Sequence, residues 1–164
     1  MRVGFIGLGR MGRGMAHRLL GGGHDLRVHD VVRAAGDDFV KAGATFADSV
    51  ADLCANREVV VTMLVEDAAV LDVATRPGGL CASLPKGAIH VSMGTYGVGA
   101  IRTLADAHAK AGQVLVAAPV LGRPDLAASG QLGVVAAGPA DAVSRVAPRS
   151  EEHTSELQSR FGIS

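Results

Sequence analysis

Short apolar runs alternate with amphipathic stretches along most of this chain. The apolar runs fall at Arg2–Ile6, Asp25–His29, Glu58–Met63, Ala88–Ser92, Gln113–Ala117 and Leu132–Ala136, with a shorter one at Thr45–Phe46. Each is bounded by turn residues and reads as a β-strand. Between them, helical spacing predicts helices over Met11–Leu20, Ala34–Lys41, Asp48–Cys54, Asp67–Ala74, Val98–Lys110 and Ala140–Val146. Val59-Val60-Val61 is a continuous β-branched run, the pattern of a central strand covered on both faces. Arg76-Pro77-Gly78-Gly79 breaks structure, and Leu84-Pro85-Lys86-Gly87 marks a turn into the next strand. Strands and helices in alternation, with short Gly-rich joints, predict an α/β fold. The expected architecture is a Rossmann-type doubly wound, mostly parallel sheet.

The first strand runs into Gly7-Leu8-Gly9-Arg10-Met11-Gly12, which opens the first helix, and Asp30 ends the next apolar run. Glycines in this strand–turn–helix context, with an acid at about the ~20-residue offset of ribose-binding acids, predict a dinucleotide site. In such a site Gly7 permits the tight turn, Gly9 lets main chain approach a pyrophosphate, and Gly12 allows close helix–strand packing. The helix N-terminus then offers free N–H groups and the positive end of its dipole. An ordinary glycine turn is the plainer alternative. Asp30 also has two readings. It can accept bonds from the ribose hydroxyls and repel a 2′-phosphate, favouring NAD, or it can cap the following helix. Arg33, three residues on, could instead reach a phosphate.

Composition narrows the class. The chain has 164 residues and 48% hydrophobic content, enough for one domain with a real core. Net charge is zero and no long basic run occurs, so nothing points to nucleic acid or a membrane surface. No apolar segment is long enough to span a bilayer and no targeting signal is read at the start, so a cytoplasmic location is expected. Cys54 and Cys81 fit neither a disulfide framework nor a metal spacing, and are expected to be reduced packing residues. His17 and His108 fall on predicted helices, as surface or packing residues. His29 and His90 fall in strands, and His24 at a turn. No metal site is expected.

Several blocks together resemble the β-hydroxyacid dehydrogenase family, which includes 3-hydroxyisobutyrate dehydrogenase and, more distantly, 6-phosphogluconate dehydrogenase. Phe5-Ile6-Gly7-Leu8-Gly9-Arg10-Met11-Gly12, with Met15-Ala16 and Gly23-His24, is similar to its N-terminal signature. Thr62-Met63-Leu64-Val65 resembles its loop after the fourth strand. Ser92-Met93-Gly94-Thr95 stands where the family usually has Asp-Met-Ser-Thr, and Ala117 to Pro124 where it has Asp-Ala-Pro-Val-Ser-Gly-Gly. Gly130-Gln131-Leu132 with Gly138 is similar to its closing strand. The resemblance covers residues 1–148. It implies an NAD(P)-dependent oxidoreductase acting on CH–OH groups, a small-molecule substrate and a homo-oligomeric parent enzyme. By the same resemblance Met63, Leu64 and Val65 border the cofactor cleft, Thr95 lies near the nicotinamide ribose, and Gly122 lies in the substrate loop.

Two departures bear on substrate. Gly94 and Leu121 stand in place of family serines, so two hydroxyl donors are missing and a different or bulkier substrate is implied. Arg123 can supply a carboxylate partner through its guanidinium, or can simply be solvated. The family's catalytic lysine belongs to a second, all-helical domain. Lys86 and Lys110 match no part of that motif, so no catalytic residue is expected in this chain. Two readings stay open beside the dehydrogenase one: a dinucleotide-binding module without catalysis, and a relative reducing imines or bulky carbonyls.

Residues 149–164 change character. Arg149-Ser150-Glu151-Glu152-His153-Thr154-Ser155-Glu156-Leu157-Gln158-Ser159 is polar, with no apolar stripe that would dock on a core. It resembles the in-frame translation of a widely used sequencing-adapter sequence. That implies a non-native tail, disordered or loosely helical, on a gene cut short after Pro148.

Overall fold

The computed structural model describes residues 1–147, so the expectation for the tail lies outside the described residues. The strands are β1 (Arg2–Ile6), β2 (Asp25–His29), β3 (Thr45–Phe46), β4 (Val59–Thr62), β5 (Ile89–Ser92), β6 (Val114–Ala117), β7 (Val120–Leu121) and β8 (Gly133–Val134). The helices are α1 (Arg10–Gly21), α2 (Asp37–Lys41), α3 (Val50–Cys54), α4 (Asp67–Thr75), α5 (Leu80–Ser83), α6 (Val98–Lys110), α7 (Pro124–Ser129) and α8 (Ala140–Val146). A 3₁₀ turn, Arg33–Gly36, precedes α2.

Six strands form one parallel sheet in the order β3-β2-β1-β4-β5-β6. The chain winds outward from β1 to β3, then crosses back to β4 and winds the other way. That reversal falls at the carboxyl edge between β1 and β4, the place where doubly wound sheets bind their ligands in a crevice. The doubly wound architecture read from the alternation is what the chain adopts.

Strand side chains explain why both faces are covered. Val3, Phe5, Val59, Val61, Ile89, Val91 and Val116 point to one face, where Met15, Ala16 and Leu19 of α1, Phe39 of α2 and Val146 of α8 cover them. Ile6, Val60 and Leu115 point to the other, under Leu53 of α3, Val70 of α4, Leu80 of α5 and Leu104 of α6. Period-2 alternation has produced two hydrophobic layers, as a sheet buried on both sides requires. Gly4 sits at the centre of the second layer, where an added Cβ would lie 2.5 Å from Leu53 Cδ2, so α3 rides close to β1.

Several boundaries and one strand differ from expectation. The predicted run Leu132–Ala136 does not join the parallel sheet. Only Gly133–Val134 is strand, and it pairs antiparallel with β7 in a separate two-stranded ribbon. The ribbon is tied back by an antiparallel bridge between Ala117 and Ala137. Helix α3 begins at Val50 rather than Asp48, because the Ser49 hydroxyl accepts the Asp52 N–H at 3.0 Å and fixes the N-cap there. Helices α5 and α7 were not expected. Helix α7 is six residues long, too short to show a period, yet it carries the expected punctuation: Pro124 in its first turn and Gly130 in the left-handed conformation after its end.

Candidate functional site

The turn after β1 is built by three glycines with different physical reasons. Gly7 has φ +101°, and a Cβ there would collide with the Met63 carbonyl, so the turn presses against the loop leaving β4. A Cβ on Gly12 would collide with the Gly7 carbonyl and lie 3.1 Å from Phe5 Cε1, so α1 lies close on the end of β1. Gly9 is unlike both. Its φ of −68° is open to any residue, and a Cβ there would meet nothing within 4 Å. The fold itself does not need a glycine at position 9. Main chain is bare at the very point where α1 begins. No side chain caps this helix, and its first turn carries no acidic residue. Its first N–H groups and the positive end of its dipole are therefore served by no capping or acidic side chain of the helix itself. A pyrophosphate fits this cradle, which a side chain at position 9 would fill.

Asp30 stands just past the end of β2 and is tied to this turn. Its Oδ2 accepts the Leu8 N–H at 2.7 Å and its Oδ1 accepts the Val32 N–H at 2.8 Å. The 3₁₀ turn that follows has Val32 as N-cap and no side-chain cap, so the helix-capping alternative is not what Asp30 does. Instead the carboxylate braces the glycine turn from β2, and the free lone pairs of its two oxygens remain acceptors. Arg33 lies over the Phe46 ring at 4.0 Å, and is 3.8 Å from both Asp37 and Asp48.

The remaining predicted residues gather on neighbouring loops. Met63, Leu64 and Val65 leave β4, with Met63 and Leu64 half-buried and Val65 exposed. The Met63 N–H donates to the Ile6 carbonyl at 2.9 Å, which carries the β1–β4 pairing to the lip of the crevice. Thr95 is exposed in the loop after β5. Arg10 and Met11 open α1, Arg10 exposed and Met11 half-buried. Gly122, with φ +146°, follows β7, and a Cβ there would lie 2.7 Å from Leu132 Cδ2. Arg123 is the N-cap residue of α7. Its side chain is 81% exposed and 3.5 Å from Asp125. Helix α7 in turn lies against α1, where a Cβ on Gly14 would be 2.8 Å from the Ala128 nitrogen. A cavity of about 250 Å³ runs beside them, lined by Arg10, Arg13, Gly14, His17, Pro124 and Ala128. It flanks α1 on the side where α7 packs.

The family model of the NAD binding domain of 6-phosphogluconate dehydrogenase matches residues 2–158, nearly the whole chain. This chain belongs to that family. The match runs past residue 148 into the adapter-like segment. Among curated relatives, an oxidoreductase of Bacillus subtilis, YfjR, is 40% identical over 148 residues, 90% of this chain and 52% of its own length. A 3-hydroxyisobutyrate dehydrogenase of Pseudomonas aeruginosa is 34% identical over 146 residues, 89% of this chain and 49% of its own. Among solved structures, Psf3 in complex with NADP+ and 2-OPP superposes with a TM-score of 0.84 at 32% identity, covering 88% of this chain and 51% of that one. The chain spans about half the length of the curated relatives it matches. The family resemblance, the Rossmann fold and the binding of a nicotinamide dinucleotide by this domain type are thereby established.

Away from the crevice, the histidines and cysteines resolve as structure. His90 and His108 are fully buried and form one hydrogen-bonded chain. Gln113 Nε2 lies 2.7 Å from the Leu84 carbonyl and 3.3 Å from those of Leu80 and Cys81, so it must donate. Gln113 Oε1 then accepts from His108 Nδ1–H at 2.8 Å, His108 Nε2 from His90 Nδ1–H at 2.8 Å, and His90 Nε2 from the Thr62 hydroxyl at 2.8 Å. Burial, then the neighbouring His108, holds His90 well below its ordinary pKa. Burial also lowers His108, more than the Gln113 bond raises it. His29 is buried, its Nδ1 2.8 Å from the Ala47 carbonyl, and His17 stacks on Phe39. Burial pushes the Cys54 thiol up to about 12 and raises Cys81, so neither is a poised nucleophile. Among the described residues no group of three or more His, Cys, Asp or Glu is placed to hold a metal ion, and no helix is long and apolar enough to cross a membrane.

One residue at the crevice escaped the sequence reading. Tyr96 reaches from the loop after β5 and donates its hydroxyl to the Leu64 carbonyl at 2.8 Å. No motif marks it, and only the fold brings position 96 to position 64.

Proposed function

We propose that this chain is the cofactor-binding half of an NAD(P)-dependent oxidoreductase, in which the crevice over β1 and β4 holds the dinucleotide. The observation that carries this reading is Gly9: a bare main-chain position, free of any internal constraint, at the uncapped start of a twelve-residue helix. In this reading the N–H groups of Arg10, Met11 and Gly12 bind the pyrophosphate. Asp30, already aligned by Leu8 and Val32, accepts from the adenosine ribose. Met63, Leu64 and Val65 wall the cleft, and Thr95 stands beside the nicotinamide ribose. When bound, the cofactor supplies a carbon that gives or takes a hydride.

We propose NAD as the preferred cofactor. The Asp30 carboxylate repels a 2′-phosphate at close range. Arg33, the nearby cation in sequence, is already shared between Asp37, Asp48 and the Phe46 ring. On the substrate side, Gly122 and Arg123 are proposed to meet a β-hydroxyacid-like molecule, with Arg123 as the carboxylate partner. The catalytic acid–base group, worth roughly 10²–10⁴-fold in rate, is placed in the part of the parent enzyme beyond this chain, as is its assembly into an oligomer. The adapter-like segment is read as foreign to the gene. Sequencing the genomic locus past the codon for Pro148 tests that reading directly. A locus that encodes residues 149–164 overturns it; further helical codons there instead support the enzyme, and a stop codon there favours a binding module without catalysis.

Titrating the 164-residue chain with NADH and NADPH, followed by nicotinamide fluorescence, tests the cofactor reading. Saturable NADH binding, tighter than NADPH, is expected. Absence of binding by either overturns the site, and tighter NADPH binding overturns the preference.

A further inference from the structure

The loops leaving β4 and β5 are joined by two hydrogen-bonded ties. One is the Tyr96 hydroxyl to the Leu64 carbonyl at 2.8 Å. The other runs from the Gly97 N–H to the Asp67 carboxylate at the start of α4, at 3.2 and 3.3 Å to its two oxygens. Gly94 makes room for the first. A Cβ on residue 94 would collide with Tyr96 Oη and Cζ, and would lie 2.7 Å from the Leu64 carbonyl oxygen. The backbone at position 94 is thus bare for the sake of this one contact, with both donor and acceptor pressed over it. Leu64 in turn touches the glycine turn: its Cδ2 lies 3.1 Å from where a Cβ on Gly7 would be. A line of contact therefore runs from Tyr96 through Leu64 to the turn at the crevice.

We propose that Tyr96 is a positioning residue for the dinucleotide site, a strap that fixes the Met63–Val65 loop against the Gly7 turn. This rests on the cofactor reading given above. Burial of the phenol pushes its pKa up to about 12, so the hydroxyl stays protonated and donates throughout the physiological range. The strap's donor is supplied by residue 96 because residue 94 carries no side chain.

Tyr96→Phe keeps the ring and its packing and removes the hydroxyl, which also faces Ser92, leaving the Leu64 carbonyl short of a partner. Amide hydrogen exchange across residues 63–67 is measured in the 164-residue chain without cofactor, and NADH affinity by fluorescence. Loss of one hydrogen bond of ordinary net strength predicts about a fivefold rise in exchange and about a fivefold loss of affinity. Gly94→Ala attacks the same contact from beneath, and the double variant should do no more than the larger single one. A side chain that merely fills the core would leave the phenylalanine variant unchanged in both readouts. Unchanged exchange overturns the strap. Raised exchange with unchanged NADH affinity overturns its role at the site. A wild-type chain that binds neither NADH nor NADPH overturns the cofactor reading and this proposal with it, while the exchange data still report whether the strap exists.

Discussion

Glycines 7, 9 and 12 look alike in the sequence and differ in what they answer to. Positions 7 and 12 answer to the protein's own backbone, whereas position 9 answers only to what lies outside it. This separates stability from binding. Gly9→Val should lower unfolding free energy by no more than about 1 kcal/mol, the cost of a poorer N-cap with no clash added, yet lower NADH affinity at least tenfold. Chemical denaturation and fluorescence titration check the two halves, and a large stability loss would show that position 9 is internally constrained after all. Asp30 calls for a gentler change than alanine, since its two oxygens also hold Leu8 and Val32. Asp30→Asn removes the charge and keeps an acceptor for one of these two N–H groups, losing the other bond. It should narrow the ratio of NADH to NADPH affinity by about tenfold, the factor that 1.4 kcal/mol represents. An unchanged ratio would mean that the carboxylate does not discriminate.

At the scale of elements, caps and close approaches decided what periodicity left vague. Ser49 sets the start of α3, and Ser49→Ala should cost about 1 kcal/mol in urea unfolding with little effect on NADH affinity. The long helices α1 and α6 and the strands β1, β2, β4, β5 and β6 were legible because each has enough residues to show its period. Helices α5 and α7 were not, at four and six residues. The Leu132–Ala136 run was misread because an apolar run carries no sign of its partner. Its mate is β7, a neighbour in sequence only through the α7 turn, and the pairing is antiparallel.

Across the whole molecule, the buried His90–His108 pair makes acid sensitivity a property of the fold. Both histidines are held neutral when folded, whereas in the unfolded chain each binds a proton near its ordinary pKa of about 6.5. Below that pH the unfolded state binds more protons, so stability is full above pH 7 and falls as the pH drops. A loss of about 1–2 kcal/mol between pH 7 and 5.5 is expected, read from urea midpoints at the two pH values. A flat profile would mean that the Thr62–His90–His108–Gln113 chain absorbs a proton without cost.

The sequence alone determined the fold class, the glycine turn and the family, because these depend on local spacing and on which side chains are small. Tertiary structure alone decided that Asp30 braces the glycine turn rather than capping a helix. It alone brought Tyr96 over Gly94 to Leu64, and tied His90 to His108 and Gln113. Each of these contacts joins residues from separate elements or loops, and their meeting depends on the order in which the strands lie side by side. That order is a property of the packed sheet, and no stretch of the chain carries it by itself.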